Sequence, residues 1–160
     1  MKHDIQPFTD EHRAWARALL TKSWAAPRVV TRGRLHQADL LPGFVAHVDD
    51  RPVGLATYHI SGDGCELVTL DSTAPGGGIG TALVEAVRAA ARASGCRRLW
   101  LITTNDNSHA LRFYQKRGFR IAAVHVDAIR ESRRLKPEIP LAGFDGIPIR
   151  DEVELELDLP

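Results

Sequence analysis

Residues Leu67 to Leu83 of this 160-residue chain read L-V-T-L-D-S-T-A-P-G-G-G-I-G-T-A-L. A short apolar run ends at Asp71. Three successive glycines follow, Gly76, Gly77 and Gly78, and then Ile79, Leu83, Val87 and Ala90 recur at helical spacing. The pattern is a strand, a glycine-rich turn and a helix N-terminus in direct succession. Such a junction aims several backbone N–H groups at one point, and the helix dipole adds partial positive charge there. It suits a phosphate or pyrophosphate.

The flanking chain sets the surroundings of that junction. Ile5 to Phe8 reads as a short first strand. Thr9 caps a helix starting near Asp10, with an incomplete capping box because His12 stands where Glu or Gln would. Trp15, Ala18, Leu19 and Trp24 supply its apolar face. Arg28 to Gln37 reads as a surface loop or short helix. Gly43 to Asp49 and Val53 to Ile60 are strands joined by a turn at Asp50-Arg51-Pro52. Ser61-Gly62-Asp63-Gly64 turns the chain again into Cys65 to Leu70, the third strand of an antiparallel meander.

After the glycines, a helix runs from about Gly78 to Ser94, with Glu85, Arg88 and Arg92 outside and Gly95 at its C-terminal cap. Arg98 to Thr103 is nearly all apolar, as expected of a strand covered on both faces. A right-handed crossover makes it parallel to the strand ending at Leu70. Ser108 opens a helix with Ala110, Leu111 and Tyr114 inside, closed by Gly118. Phe119 to Val126 is a strand. Residues 128–149 carry Arg130, Arg133, Arg134 and Lys136, then Pro137, Pro140, Gly143, Gly146 and Pro148. They are too many for a turn and too apolar for a loose linker. Asp151 to Asp158 alternates strictly, as a strand with one wet face.

Composition excludes several classes. The net charge is +1 and no stretch is strongly basic, so nucleic acid is not an expected partner. Two cysteines, Cys65 and Cys96, make no disulfide framework, and the seven histidines show no metal-ligand spacing, so no metal is expected. No segment approaches a membrane span, and the start lacks a signal-peptide core. A cytoplasmic location is the expectation. A dinucleotide fingerprint fails because the third glycine position is Thr81 or Leu83, and a P-loop lacks its Gly-Lys-Ser/Thr ending.

Two motifs together resemble the GNAT superfamily of N-acetyltransferases. P-G-G-G-I-G-T-A-L matches the signature Q/R-x-x-G-x-G/A, with Gly78 and Gly80 at the glycine positions. N-S-H-A-L-R-F-Y-Q-K-R-G-F matches N-x-x-A-x-x-x-Y-x-x-x-G-F, with Asn107, Ala110, Tyr114, Gly118 and Phe119 in place. The resemblance covers roughly Gly43 to Val126. It implies an α/β (α+β) fold: a mixed, mostly antiparallel sheet of about six to seven strands with a central parallel pair and about four flanking helices. One domain is expected over residues 1–160, with 128–149 as an insert before the last strand.

The resemblance also implies acetyl-CoA as cosubstrate and a primary amine as acceptor. The pyrophosphate would rest on Gly76, Gly77, Gly78, Ile79, Gly80 and Thr81, where missing Cβ atoms allow close approach. The pantetheine arm would pair like an extra strand at Leu70 and Ser72 if the parallel strands splay there. Pro75 replaces the usual Gln or Arg and has no N–H to offer, so the cradle should be shortened where it begins. Arg112 is a candidate for the missing charge.

Tyr114 is a candidate general acid for the departing thiolate, or a core tyrosine. Asn107 holds the pantetheine arm or caps its helix. Glu66 stands near the start of the third strand, where the resemblance implies a carboxylate that accepts the amine's proton directly or through water, or it is a polar residue on a solvent face; Asp71 and His59 are further candidates. His47, His59 and His125 lie in strands where alternation alone explains them. The resemblance implies an acceptor site at the early helices, which makes Trp24, Arg32, Arg34 and His36 acceptor-site candidates; otherwise they are surface and packing residues. The insert is a flap over the acceptor site or a homodimer contact. A rival from another class is an acyl-CoA-binding sensor or interaction protein on the same fold, without turnover.

Overall fold

A computed structural model describes residues 2–74 and 76–160. The expected shortening of the glycine turn at Pro75 lies outside the described residues. Among the described residues, seven strands form one sheet in the order β1-β4-β5-β6-β7-β9-β8, and β2 (Arg28–Thr31) and β3 (Arg34–Gln37) form a separate hairpin. The main strands are β1 (Asp4–Pro7), β4 (Gly43–Val48), β5 (Arg51–Ser61), β6 (Gly64–Ser72), β7 (Arg98–Thr104), β8 (Arg120–His125) and β9 (Glu152–Asp158). Among the described residues only β6 and β7 run parallel; every other neighbouring pair is antiparallel. With four α-helices, this is the mixed sheet that the sequence led us to expect.

The two sheet faces are covered differently. Helix α2 (Ile79–Ala93) turns Ile79, Leu83, Val84, Val87 and Ala91 onto Cys65, Leu67, Leu99, Leu101 and Leu155. Ala91, rather than Ala90, completes the stripe. Helix α3 (Ser108–Lys116) joins the same face through Tyr114. Helix α1 (Arg13–Trp24) covers the opposite face, with Ala16, Leu19 and Leu20 against Val45, Leu55 and Val68. Ala18, expected on that apolar face, points to solvent. A 3-10 turn at Asp10–His12 precedes α1. There the Thr9 N–H donates to His12 Nδ1 at 3.1 Å, so the imidazole does what the missing Glu or Gln would have done.

Residues 28–37 are neither loop nor helix. They form a hairpin of β2 (Arg28–Thr31) and β3 (Arg34–Gln37). Arg32 and Gly33 both take positive φ, 48° and 74°, the backbone that a two-residue hairpin turn needs. The next turn also falls elsewhere than expected. Asp49 and Asp50 form it, with φ of 51° and 61°, and Pro52 lies inside β5. Pro52 is tolerated because the register slips between Ala46 and His47, so it sits beside a bulge.

The face of β9 expected to be wet is largely covered. Glu152 is only 1% exposed and lies 3.2 Å from the Arg32 guanidinium; the Arg32 backbone N–H also donates to it at 3.2 Å. Glu154 and Glu156 pair with Arg98, and Arg120 and His125 add further contacts of 2.9 Å. The glutamates alternate for charge pairing across β7, β8 and the hairpin, because β9 is an interior strand.

The insert is ordered by polar anchors. Helix α4 (Ala128–Leu135) buries Ile129 and Ser132. Lys136, 3% exposed, donates to the Trp24 carbonyl at the end of α1. Arg133 donates to the carbonyls of Pro140 and Ile149 at 2.8 and 2.9 Å. The Asn105 amide donates to the Pro148 carbonyl at 2.9 Å and accepts from the N–H groups of Arg150 and Asp151.

Candidate functional site

The parallel ladder is short. Gly64, Cys65 and Glu66 pair with Arg98, Leu99 and Trp100, and the pairing then stops although β6 runs on to Ser72 and β7 to Thr104. A bulge helps to turn β6 away. Thr57 pairs with Thr69 and Tyr58 with Leu67, which leaves Val68 as an extra residue. The parting strands open a groove of about 520 Å³. Its walls are Leu70, Asp71 and Ser72 from β6, the start of α2, and Asn107, Ala110, Phe113, Tyr114 and Arg117 along α3.

The glycine turn closes one end of this groove. Gly76, Gly77 and Gly78 have φ of 86°, 69° and 75°. Three consecutive residues in the left-handed region explain three consecutive glycines, since any Cβ there is strained. Gly76, Gly78, Ile79, Gly80 and Thr81 border the groove; Gly77 belongs to the same turn without bordering it. Gly80 serves packing, because a Cβ would sit 3.1 Å from the Phe113 ring. Ser72 ties the turn together: its hydroxyl donates to the Ala74 carbonyl at 3.1 Å and accepts from the Ala74 N–H at 3.2 Å.

A cation meets the turn, but it is Arg117 and not Arg112, which is exposed and borders no part of the groove. Arg117 Nε donates to the Thr81 hydroxyl at 2.8 Å, and Nη1 donates to the Phe113 carbonyl at 2.8 Å. Its guanidinium carbon stacks 3.6 Å from the centre of the Phe113 ring. The i, i+4 spacing of Phe113 and Arg117 was a legible signal for this stack.

Tyr114 is 8% exposed and sits edge-on to Phe113 and Phe119, at 5.1 and 5.5 Å. Burial first, and then the nearby Asp71 charge, push its phenol upward, against a smaller opposite effect of Arg117. The phenol therefore stays protonated near neutral pH. Asn107 caps α3, accepting the Ala110 N–H at 3.0 Å, and also borders the groove. Ser108 is the first residue of α3 rather than its cap.

Asp71 stands at the end of β6. Its carboxylate accepts the indole N–H of Trp24 at 3.0 Å. Burial raises its pKa, and hydrogen bonding from Trp24 and Ser23 works in the opposite direction; among the described residues no cation contributes.

Glu66 goes elsewhere. It is 4% exposed and accepts the Thr31 hydroxyl at 2.6 Å beneath the β2–β3 hairpin. His36 Nε2 lies 3.3 Å from the same carboxylate, at an angle that makes no hydrogen bond. The His36 ring stands 5.5 Å from that of His59, whose pKa is lowered by burial, Arg34 and His36, against Glu66. Arg32 is taken up by Glu152, and Arg34 is exposed. His125 pairs with Glu154, and His47 lies against the His12 ring at 5.2 Å.

Phe144 is a groove residue that the sequence did not point to. It comes from the insert, is 59% exposed, and borders the groove. Asp106 fixes it, accepting the Phe144 N–H at 3.1 Å.

A splayed parallel pair beside a glycine turn and a helix N-terminus is the arrangement that the resemblance to N-acetyltransferases implied. The profile of the Acetyltransferase (GNAT) family matches residues 7–119, and the chain belongs to that family. It is 44% identical over 143 residues to the uncharacterized protein YxbD of Bacillus subtilis (strain 168), covering 89% of this chain and 90% of that one. Among solved structures, an IAA acetyltransferase from Bacillus cereus ATCC 14579 superposes with a TM-score of 0.78 at 21% identity, covering 99% and 100% of the two chains. A Bacillus subtilis acetyltransferase in complex with CoA gives 0.72 at 22% identity, with the same coverage. These two likenesses establish a shared fold. No helix among the described residues is long and apolar enough to cross a membrane.

Proposed function

We propose that this protein transfers an acetyl group from acetyl-CoA to a primary amine, by direct attack in a ternary complex. The parting of β6 and β7 beside the glycine turn carries this reading. It opens a groove of about 520 Å³ bordered by the glycine turn and by the buried Tyr114 phenol, which supports an extended arm lying along β6 with its phosphates at the turn.

In this reading the amides of Gly76 to Thr81 receive the pyrophosphate. The arm's amides pair with the open edge of β6 at Leu70 and Ser72, and Asn107 borders the arm while capping α3. Tyr114 donates the proton that the departing sulfur takes. Glu66, expected as the proton acceptor, is held under the hairpin by Thr31 and does not border the groove. We assign it to fixing β2–β3 against the sheet. Phe144 at the groove supports the flap reading of the insert over the homodimer reading. Cys65 and Cys96 are free and buried, which suits a cytoplasmic location.

Titration calorimetry with acetyl-CoA, followed by thiol release with a panel of primary amines, tests the proposal. Binding with release supports it. Binding without release on any amine favours a non-catalytic acyl-CoA sensor. Absence of binding defeats both readings. Light scattering on a chain lacking residues 128–149 tests the flap: a dimer that falls to a monomer would favour the contact reading.

A further inference from the structure

We infer that Asp71 is the catalytic base, holding the acceptor's ammonium in the groove and taking its proton as Tyr114 protonates the leaving sulfur. The inference rests on the acetyl-transfer reading and adds to it the residue on the acceptor side.

Three observations carry it. Asp71 borders the groove on the stretch of β6 beyond its pairing with β7, on the same cavity as Tyr114. The two groups sense each other, since the Asp71 charge is among the causes that raise the phenol. And among the described residues the carboxylate has no ion-pair partner, its hydrogen-bond donor being the neutral Trp24 indole at 3.0 Å. A largely buried carboxylate without a cation is costly unless a cation arrives. The ligand that meets this need is a protonated amine. Glu66 differs on each count: it is covered, satisfied by Thr31 and away from the groove.

The indole N–H gives Asp71 a fixed direction. Trp24 is the last residue of α1, and its carbonyl is in turn held by Lys136 of the insert. The base is thus positioned from two elements outside the sheet. Burial weakens the acidity of Asp71, which makes it a better proton acceptor near neutral pH.

The proton balance closes. The ammonium loses one proton through Asp71 to solvent and becomes a nucleophilic amine. The bond between nitrogen and the acetyl carbon forms, and the carbon–sulfur bond breaks, its electron pair leaving with sulfur. Nitrogen gives its second proton to Asp71, and Tyr114 gives its proton to sulfur. The proton on Asp71 then passes to the Tyr114 phenolate through groove water, and both groups return to their starting states. The products are the amide, the free thiol and one proton.

Two measurements test this. First, the Asp71 carboxyl is titrated by ¹³C NMR on the full chain. A midpoint above the ordinary Asp value of about 3.9 is expected, and an ordinary midpoint overturns the inference. Second, Asp71→Asn and Glu66→Gln are compared with wild type for acetyl-CoA affinity and for thiol release across pH with the amine panel. Asp71→Asn should keep acetyl-CoA affinity, lower release by about 10²- to 10⁴-fold and lose the acidic limb of the rate profile, which Glu66→Gln retains. Full-rate release by Asp71→Asn overturns the base assignment while acetyl transfer stands. Wild type that fails to bind acetyl-CoA, or releases no thiol, overturns the functional reading and this inference with it.

Discussion

The Arg117 guanidinium donates to the Thr81 hydroxyl at 2.8 Å, which links the end of α3 to the first turn of α2. This contact sets a cation beside the glycine turn of a chain whose signature Gln or Arg is replaced by Pro75. Arg117→Gln should weaken CoA binding by roughly 10- to 150-fold, the range of a charge-assisted hydrogen bond. Calorimetry checks it, and steeper salt dependence in wild type than in the variant is the accompanying sign.

Tyr114→Phe removes one oxygen and keeps the ring packed on Phe113 and Phe119. Turnover should fall about tenfold to ten-thousandfold, within the range of lost general acid catalysis, with little change in CoA affinity. Unaltered turnover would return Tyr114 to the core.

Trp24→Phe deletes the N–H that Asp71 accepts at 3.0 Å. That hydrogen bond favours the charged carboxylate and opposes the rise that burial causes. Without it the Asp71 pKa climbs further. Since the reaction needs the carboxylate, activity is lost as pH falls through that pKa, so the acidic limb should move to higher pH. Rate profiles of the two proteins measure the shift; a limb that stays in place speaks against control by Trp24.

Gly143→Ala tests the fixing of Phe144. A Cβ at Gly143 would lie 2.0 Å from Asp106 Oδ2, so the turn must move or Asp106 must release the Phe144 N–H. A stability loss of about 1–3 kcal/mol is expected, read by denaturant titration, because Asp106 is buried and its partner would be lost. Phe144→Ala, which leaves that anchor intact, should instead raise the KM for the amine or acetyl-CoA with little change in stability.

Gly78→Val acts through the backbone. Gly78 has φ of 75° and open space around its would-be Cβ, so no neighbouring side chain resists the change. The left-handed conformation costs a β-branched residue about 1–3 kcal/mol, and the added methyls would occupy the space proposed for the pyrophosphate. CoA affinity should drop, and retained affinity would place the pyrophosphate elsewhere.

Local chemistry was enough to read much of this protein from its sequence. The junction of β6, the glycine turn and α2 follows from periodicity and from residues that tolerate positive φ. The parallel β7 follows from connection length, and Asn107, Ala110 and Tyr114 share one helical neighbourhood by spacing. What sequence left open depended on partners distant along the chain. Residues 28–37 became a hairpin because Thr31 and Arg32 reach the buried carboxylates of Glu66 and Glu152. The same contacts took Glu66 out of the groove and covered the face of β9 that alternation had marked as wet. Asp71 acquired its direction from Trp24, 47 positions away, and Phe144 reached the groove through Asp106, 38 positions away. Periodicity reports which face a side chain takes, and turn residues report where the chain reverses. Which carboxylate is buried, paired or left waiting for a cation is decided only when separate elements pack together, because desolvation and hydrogen bonding depend on every neighbour at once.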